Sequence, residues 1–152
     1  MIFGTSTPFV KAGKLTQHPG LSPDGKTIFH GFRDAAATVR TSRIMAHNVE
    51  TGRSSELYRV AAPLSIGQPM AVSPDGRLLA FFLDDKEGGR SLVVIPLSGG
   101  EPKELFRTPS KGATGIAWLA GIAWSPDSRY VLIVATRDAN GRGFSTRPPS
   151  MT

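Results

Sequence analysis

A tetrapeptide governs what this chain can fold into. Ser22-Pro23-Asp24-Gly25 recurs as Ser73-Pro74-Asp75-Gly76 and, with one change, as Ser125-Pro126-Asp127-Ser128. Proline presets φ at the first corner of a tight turn, aspartate accepts hydrogen bonds from nearby backbone N–H groups, and glycine supplies the positive φ at which the chain re-enters a strand. The motif is therefore hairpin chemistry. Asp24 to Asp75 is 51 residues and Asp75 to Asp127 is 52, a period that marks stacked structural units.

The likeness between copies continues past the turn. Thr27-Ile28-Phe29, Leu78-Leu79-Ala80-Phe81-Phe82 and Tyr130-Val131-Leu132-Ile133-Val134 follow the three turns as apolar runs, and each meets a charged turn, Arg33-Asp34, Asp84-Asp85 or Arg137-Asp138. Glu56-Leu57-Tyr58-Arg59 then corresponds to Glu104-Leu105-Phe106-Arg107. Leu57 lies 33 residues after Asp24, whereas Leu105 lies 30 after Asp75. The sequence places that difference in the hairpin loop, Ala35 to Ser42 against Lys86 to Arg90, because loops tolerate insertions.

Composition agrees with many short strands. Seventeen glycines and twelve prolines in 152 residues suit frequent turns, and no amphipathic helix of more than two turns stands out. A net charge of +6 raises the question of an acidic partner. The basic residues are scattered without a run of three and without interleaved stacking platforms, so nucleic-acid binding is disfavoured. The absence of cysteine excludes disulfides, a thiol nucleophile and cysteine-ligated metal. Neither a signal peptide nor a membrane span is read in the chain, and its compartment is left open.

In chain order, residues 1–19 hold a leading strand near Pro8-Phe9-Val10, which could belong to a neighbouring unit. Residues 20–66 form unit one and 67–111 form unit two. In unit two, strands are expected at Pro69 to Val72, Arg77 to Leu83, Ser91 to Leu97 and Lys103 to Arg107. Its runs are apolar on both faces, as for a sheet covered on both sides. Residues 112–138 form part of a third unit. There Gly115-Ile116-Ala117-Trp118 repeats at once as Gly121-Ile122-Ala123-Trp124, an even offset that a strand can absorb without an exchange of faces, and because Leu105 to Asp127 spans 22 residues where Leu57 to Asp75 spans 18, a bulge or longer loop is expected. Residues 139–152, rich in Gly, Pro and Ser, show no strand pattern and are expected to form a flexible tail.

The matched stretches, such as Ala71 to Phe81 and Ile122 to Tyr130, resemble the repeats of TolB-type β-propellers within the wider WD-like class. The resemblance implies an all-β fold, a partial β-propeller of four-stranded antiparallel blades, spanning residues 20–138. It also implies a bacterial protein, periplasmic if truly TolB-like. The same blades occur in the Tol translocation component, in propellers that gate prolyl-oligopeptidase-like enzymes, and in sensor halves of bacterial protein kinases. Ser128 departs from the glycine of the pattern, and a left-handed non-glycine residue costs about 1–2 kcal/mol.

Candidate chemistry is sparse, and no catalytic, cofactor-binding or metal-ligating residue is assigned. No Gly-x-Ser-x-Gly elbow is present, since Gly143-Phe144-Ser145-Thr146-Arg147 fails at its last position. His18, His30 and His47 lack ligand-like spacing, and Asp84, Asp85 and Glu87 match no calcium loop. Asp24, Asp75 and Asp127 read as backbone caps of their turns, not as a ring of carboxylates. Trp124 reads as packing between units, and Trp118 as a candidate interaction residue. The expectation is a non-enzymatic scaffold that binds a protein or peptide, with self-association through open blade edges as a further option. The alternatives are a detached propeller portion of a peptidase or of a kinase sensor region, and a truncated remnant.

Overall fold

The computed structural model describes residues 14–15, 18–34, 40–108, 116–137 and 144–146. They form three antiparallel sheets stacked in chain order, with no helix among the described residues. In the first sheet, β1 (Lys14–Leu15) and β2 (Gly20–Leu21) both pair with β3 (Thr27–Asp34), which is followed by β4 (Thr41–Asn48) and β5 (Ser54–Ala61). The second sheet has the order β6 (Ser65–Val72), β7 (Leu78–Asp84), β8 (Arg90–Pro96), β9 (Lys103–Thr108). The third contains β10 (Ile116–Trp124), β11 (Val131–Arg137) and β12 (Phe144–Thr146).

The continuous apolar runs of β7 and β8 are explained by what covers them. Leu79, Phe81, Val93 and Ile95 face the first sheet and share a core with Phe29 and Ile44. Ala80, Phe82, Leu92 and Val94 face the third sheet and share a core with Leu119, Val131 and Ile133. Side chains alternate across a strand, so a sheet buried on both faces needs an apolar residue at every position. Each buried Phe or Leu contributes roughly 1.5–3 kcal/mol relative to exposure.

The first strand of every sheet is longer than the stretch it faces. From Leu15 to Gly20 the chain advances five residues while its partner moves three, from Phe32 to Phe29. From Gly67 to Ala71 it advances four against two, Phe82 to Ala80. From Ile116 to Gly121 it advances five against three, Arg137 to Val134, in two single steps. Each sheet therefore carries the same two-residue surplus. In the third sheet, the Gly-Ile-Ala-Trp duplication supplies it as two bulges inside one nine-residue strand.

Lys14–Leu15, which lead toward the first turn, pair with Arg33 and Phe32 of the first sheet; the leading strand read near Pro8 to Val10 lies outside the described residues. The sequence places the three-residue difference between units in the hairpin loop. Only one residue of it is there, since 35–40 replace 85–89, and one more lengthens each arm of the hairpin. The residues after Asp138 show no strand pattern, yet Phe144–Thr146 pairs with Ile133 to Ala135 of β11. Its three residues are too few for a periodic pattern to register. The other residues of 139–152 lie outside the described residues. The expected start of β6 at Pro69 also falls inside an eight-residue strand, because the surplus at Gly67 to Ala71 interrupts the alternation on which the reading depended.

Candidate functional site

The three turns are near-identical devices. Gly25, Gly76 and Ser128 donate their N–H to the carbonyls of Ser22, Ser73 and Ser125 at 2.9, 2.8 and 2.9 Å. The serine hydroxyls donate to Asp24, Asp75 and Asp127 Oδ1 at 2.6, 2.6 and 2.5 Å. The same carboxylate oxygens accept the N–H of Lys26, Arg77 and Arg129, and the serine oxygens accept the N–H of Thr27, Leu78 and Tyr130 at 2.9 Å each. The serine hydroxyl bond leads in holding all three carboxyls below the usual aspartate range. These carboxylates are thus committed to backbone groups.

The turns also fit against one another. Gly76, at φ 72°, packs beside the ring of Pro23, so that a Cβ at Gly76 would lie 3.8 Å from it. One unit further on, Ser128 at φ 60° accepts the N–H of Asp75 on its hydroxyl at 3.0 Å. The departure from glycine is accompanied by a hydrogen bond that glycine could not make. Trp124 reinforces this joint by donating its indole N–H to the Ala71 carbonyl at 3.0 Å. Trp118 pairs with Thr136 through its backbone; its side chain lies outside what is described.

At the opposite end of the second sheet, the joint is an arginine. Arg90 is buried, and its guanidinium grips Asp84 with two hydrogen bonds, the second 2.8 Å long. It lies 5.0 Å over the Phe82 ring and donates to the Leu119 carbonyl of the third sheet at 2.9 Å. Gly67 makes room for this pair, because a Cβ there would stand 2.6 Å from Asp84 Oδ2. Asp84 is therefore held by Arg90, and Asp85 Oδ1 accepts the N–H of Glu87 and Gly89, capping its own loop.

His18 is exposed at φ 67°, in the gap between β1 and β2. His30 and His47 are buried on the face of the first sheet turned away from the second. Burial is the leading cause holding the His30 imidazole below its ordinary range. His47 Nδ1 and Ser54 Oγ share a hydrogen bond of 2.8 Å. Among the described residues, no three His, Asp or Glu side chains gather as a metal site.

Among the described residues, a cleft of about 910 Å³ lies between the first two sheets, at the end that carries the turns. Phe29, Leu57 and Leu97 supply apolar lining, and Gly76, Ser98 and Gly99 form the second sheet's wall. Arg53, Ser55 and Glu56 line the first sheet's wall. Glu56 is engaged by Arg59 through two hydrogen bonds, and the Arg59 bond leads in holding its carboxyl below the ordinary range. Arg53 makes no ion pair among the described residues. A volume of this order suits a small ligand or a few residues of an extended chain. Sequence reading missed the cleft because it lies between two units, where one unit's pattern carries no signal.

No protein-family model matches the chain, and no curated protein matches it in sequence. Solved structures do match its fold. TolB from Acinetobacter baumannii is 18% identical, with a TM-score of 0.62, over 89% of this chain and 29% of that one. An oligogalacturonate lyase from Vibrio parahaemolyticus is 12% identical, with a TM-score of 0.64, over 90% and 41%. The β-propeller domain of the Trilobed protease from Pyrococcus furiosus is 16% identical, with a TM-score of 0.58, over 91% and 44%. The three sheets are therefore blades of a partial β-propeller. The chain spans less than half the length of each of these structures.

Proposed function

We propose that this propeller segment acts without catalysis, as a scaffold that holds an extended stretch of a protein or peptide in the cleft between its first two blades. The observation that carries this reading is a division of labour among its polar groups. The repeated serines and aspartates are consumed by their turns, whereas the cleft is lined by Arg53 together with apolar side chains. An extended peptide presents both backbone polar groups and alternate apolar side chains, which such a wall can receive.

Fluorescence anisotropy with a panel of labelled acidic, basic and neutral peptides tests this. One peptide class binds saturably, and Ser98→Trp, which fills the cleft from an exposed position, abolishes that binding with an unchanged thermal midpoint. Binding indifferent to Ser98→Trp would exclude the cleft. Hydrolase activity of the purified chain that one Ser, His or Asp substitution removes would overturn the non-enzymatic reading.

A second reading is favoured by the likeness to a protease's propeller domain. On that reading the chain is the propeller portion of a prolyl-oligopeptidase-like peptidase, or of a kinase sensor region. An in-frame hydrolase or kinase domain in flanking coding sequence would support it. Flanking sequence that encodes only further blades would count against it.

A further inference from the structure

The two blade joints differ at one position of the repeated turn. At the joint between the second and third blades, Ser128 Oγ accepts the N–H of Asp75 at 3.0 Å. At the joint between the first and second blades, Gly76 stands in the place of Ser128, and Asp24 in the place of Asp75. Gly76 has no hydroxyl, and a Cβ added to it would meet nothing nearer than the Pro23 ring at 3.8 Å. Among the described residues, the Asp24 N–H meets only its own carboxylate, and a contact within one residue is bent and therefore weak. Asp24 and Gly76 both line the cleft between the first two blades, whose walls are built by neighbouring blades of this chain. The first joint thus presents to the cleft a donor that the second joint uses internally.

The charges around that donor decide what it can receive. The Asp24 carboxylate beside it repels an anion, so a neutral oxygen such as a peptide carbonyl suits the N–H, as the neutral hydroxyl of Ser128 does one blade further on. Three charged side chains line the cleft. Asp24 is held by the Ser22 hydroxyl and the Lys26 N–H, and Glu56 by Arg59, with Arg43 3.8 Å away. Arg53 is exposed and makes no ion pair among the described residues. An extended peptide sends alternate side chains to opposite sides, so apolar residues can rest on Phe29, Leu57 and Leu97 while acidic ones reach Arg53. We propose that the cleft selects an acidic extended peptide, with a main-chain carbonyl on the Asp24 N–H and a carboxylate side chain on Arg53. This rests on the peptide-binding reading and gives it a ligand class.

Fluorescence anisotropy tests the selection with three labelled peptides in which leucine alternates with glutamate, glutamine or lysine. The glutamate peptide binds about fivefold tighter than the glutamine peptide at low salt, the lysine peptide binds weakest, and both added salt and Arg53→Gln erase the preference. Gly76→Ser gives the turn its own acceptor, on the pattern of Ser128, and weakens the glutamate and glutamine peptides alike by about five- to tenfold. Gly76→Ala, which adds the Cβ alone, binds as the parent does, and circular dichroism checks that each variant is folded. Equal affinity for the glutamate and glutamine peptides, with Ser98→Trp abolishing both, would overturn the acidic selection while the peptide-binding reading stands. Binding of none of the three would overturn both. Equal effects of Gly76→Ser and Gly76→Ala would overturn the carbonyl contact.

Discussion

At Ser128 two effects of similar size oppose each other. A left-handed non-glycine residue costs about 1–2 kcal/mol, while a hydrogen bond of the kind its hydroxyl accepts from Asp75 contributes about 0.5–1.5 kcal/mol. Ser128→Gly therefore leaves stability within about 0.5 kcal/mol of the parent, whereas Ser128→Ala keeps the strain, loses the bond and costs about 1 kcal/mol. Urea denaturation of both variants checks this, and equal midpoints for Ala and Ser would refute the compensation. Gly76, at φ 72° with no such bond, responds differently. Gly76→Val destabilises by about 2 kcal/mol or more, since a β-branched residue fits this region poorly. An unchanged thermal midpoint would show that the turn relaxes. These turns were legible in the sequence because Ser, Pro, Asp and Gly each act locally, within five residues. The Ser128 to Asp75 bond was not, because its two ends come from different units.

Among the elements, the two-bulge strand β10 is tied to the second blade through a buried arginine. The surplus of β10 brings the Leu119 carbonyl to Arg90, and Arg90 also holds Asp84 and covers Phe82. Breaking a buried ion pair from one side typically costs about 3–5 kcal/mol. The Asp84 side chain keeps 27% exposure, so Arg90→Met should cost less, about 2–3 kcal/mol. Arg90→Lys retains charge without the fork and falls between. Chemical denaturation of Arg90→Met, Asp84→Leu and the double variant reads the coupling, and additive losses would deny it. A matching device recurs on the outer strands. Leu57 and Leu105 are the extra residues at β5 and β9 bulges, flanked by Glu56–Arg59 and Glu104–Arg107 pairs. The sequence showed the recurrence of Glu-Leu-aromatic-Arg, but not its geometry. A bulge has no composition of its own, and alternation simply lapses where one occurs.

For the whole molecule, acid acts in two stages. Burial holds His30 below its ordinary range, with repulsion from His47 contributing. The unfolded chain then takes up that proton first, so stability declines as pH falls below about 6.5. The turn carboxyls, with Glu56 and Glu104, are held below their ordinary values by hydrogen bonds from serine and arginine. Their contribution is present above about pH 4 and is lost as pH falls through the lowered native values. Calorimetry across pH should show His30→Gln flattening the first decline and leaving the second. A profile superimposable on the parent would remove His30 as the cause. The stacked architecture itself was readable from the period of the turns and from strands apolar on both faces. The cleft and the joints between blades were not, since they depend on which units become neighbours.

Those joints have a further property. Trp124 and Ser128 reach atoms of the second blade's backbone, and Arg90 reaches the third blade's backbone. In each case one end is main chain, which substitutions other than to proline leave in place. Only the side-chain end is a mutational target, so either blade's surface can drift in sequence while its neighbour still finds the same atoms to hold. A chain joined in this way can copy, exchange or lose whole units without renegotiating each boundary, and variation is channelled into the rims, where new specificity can be tried without cost to assembly.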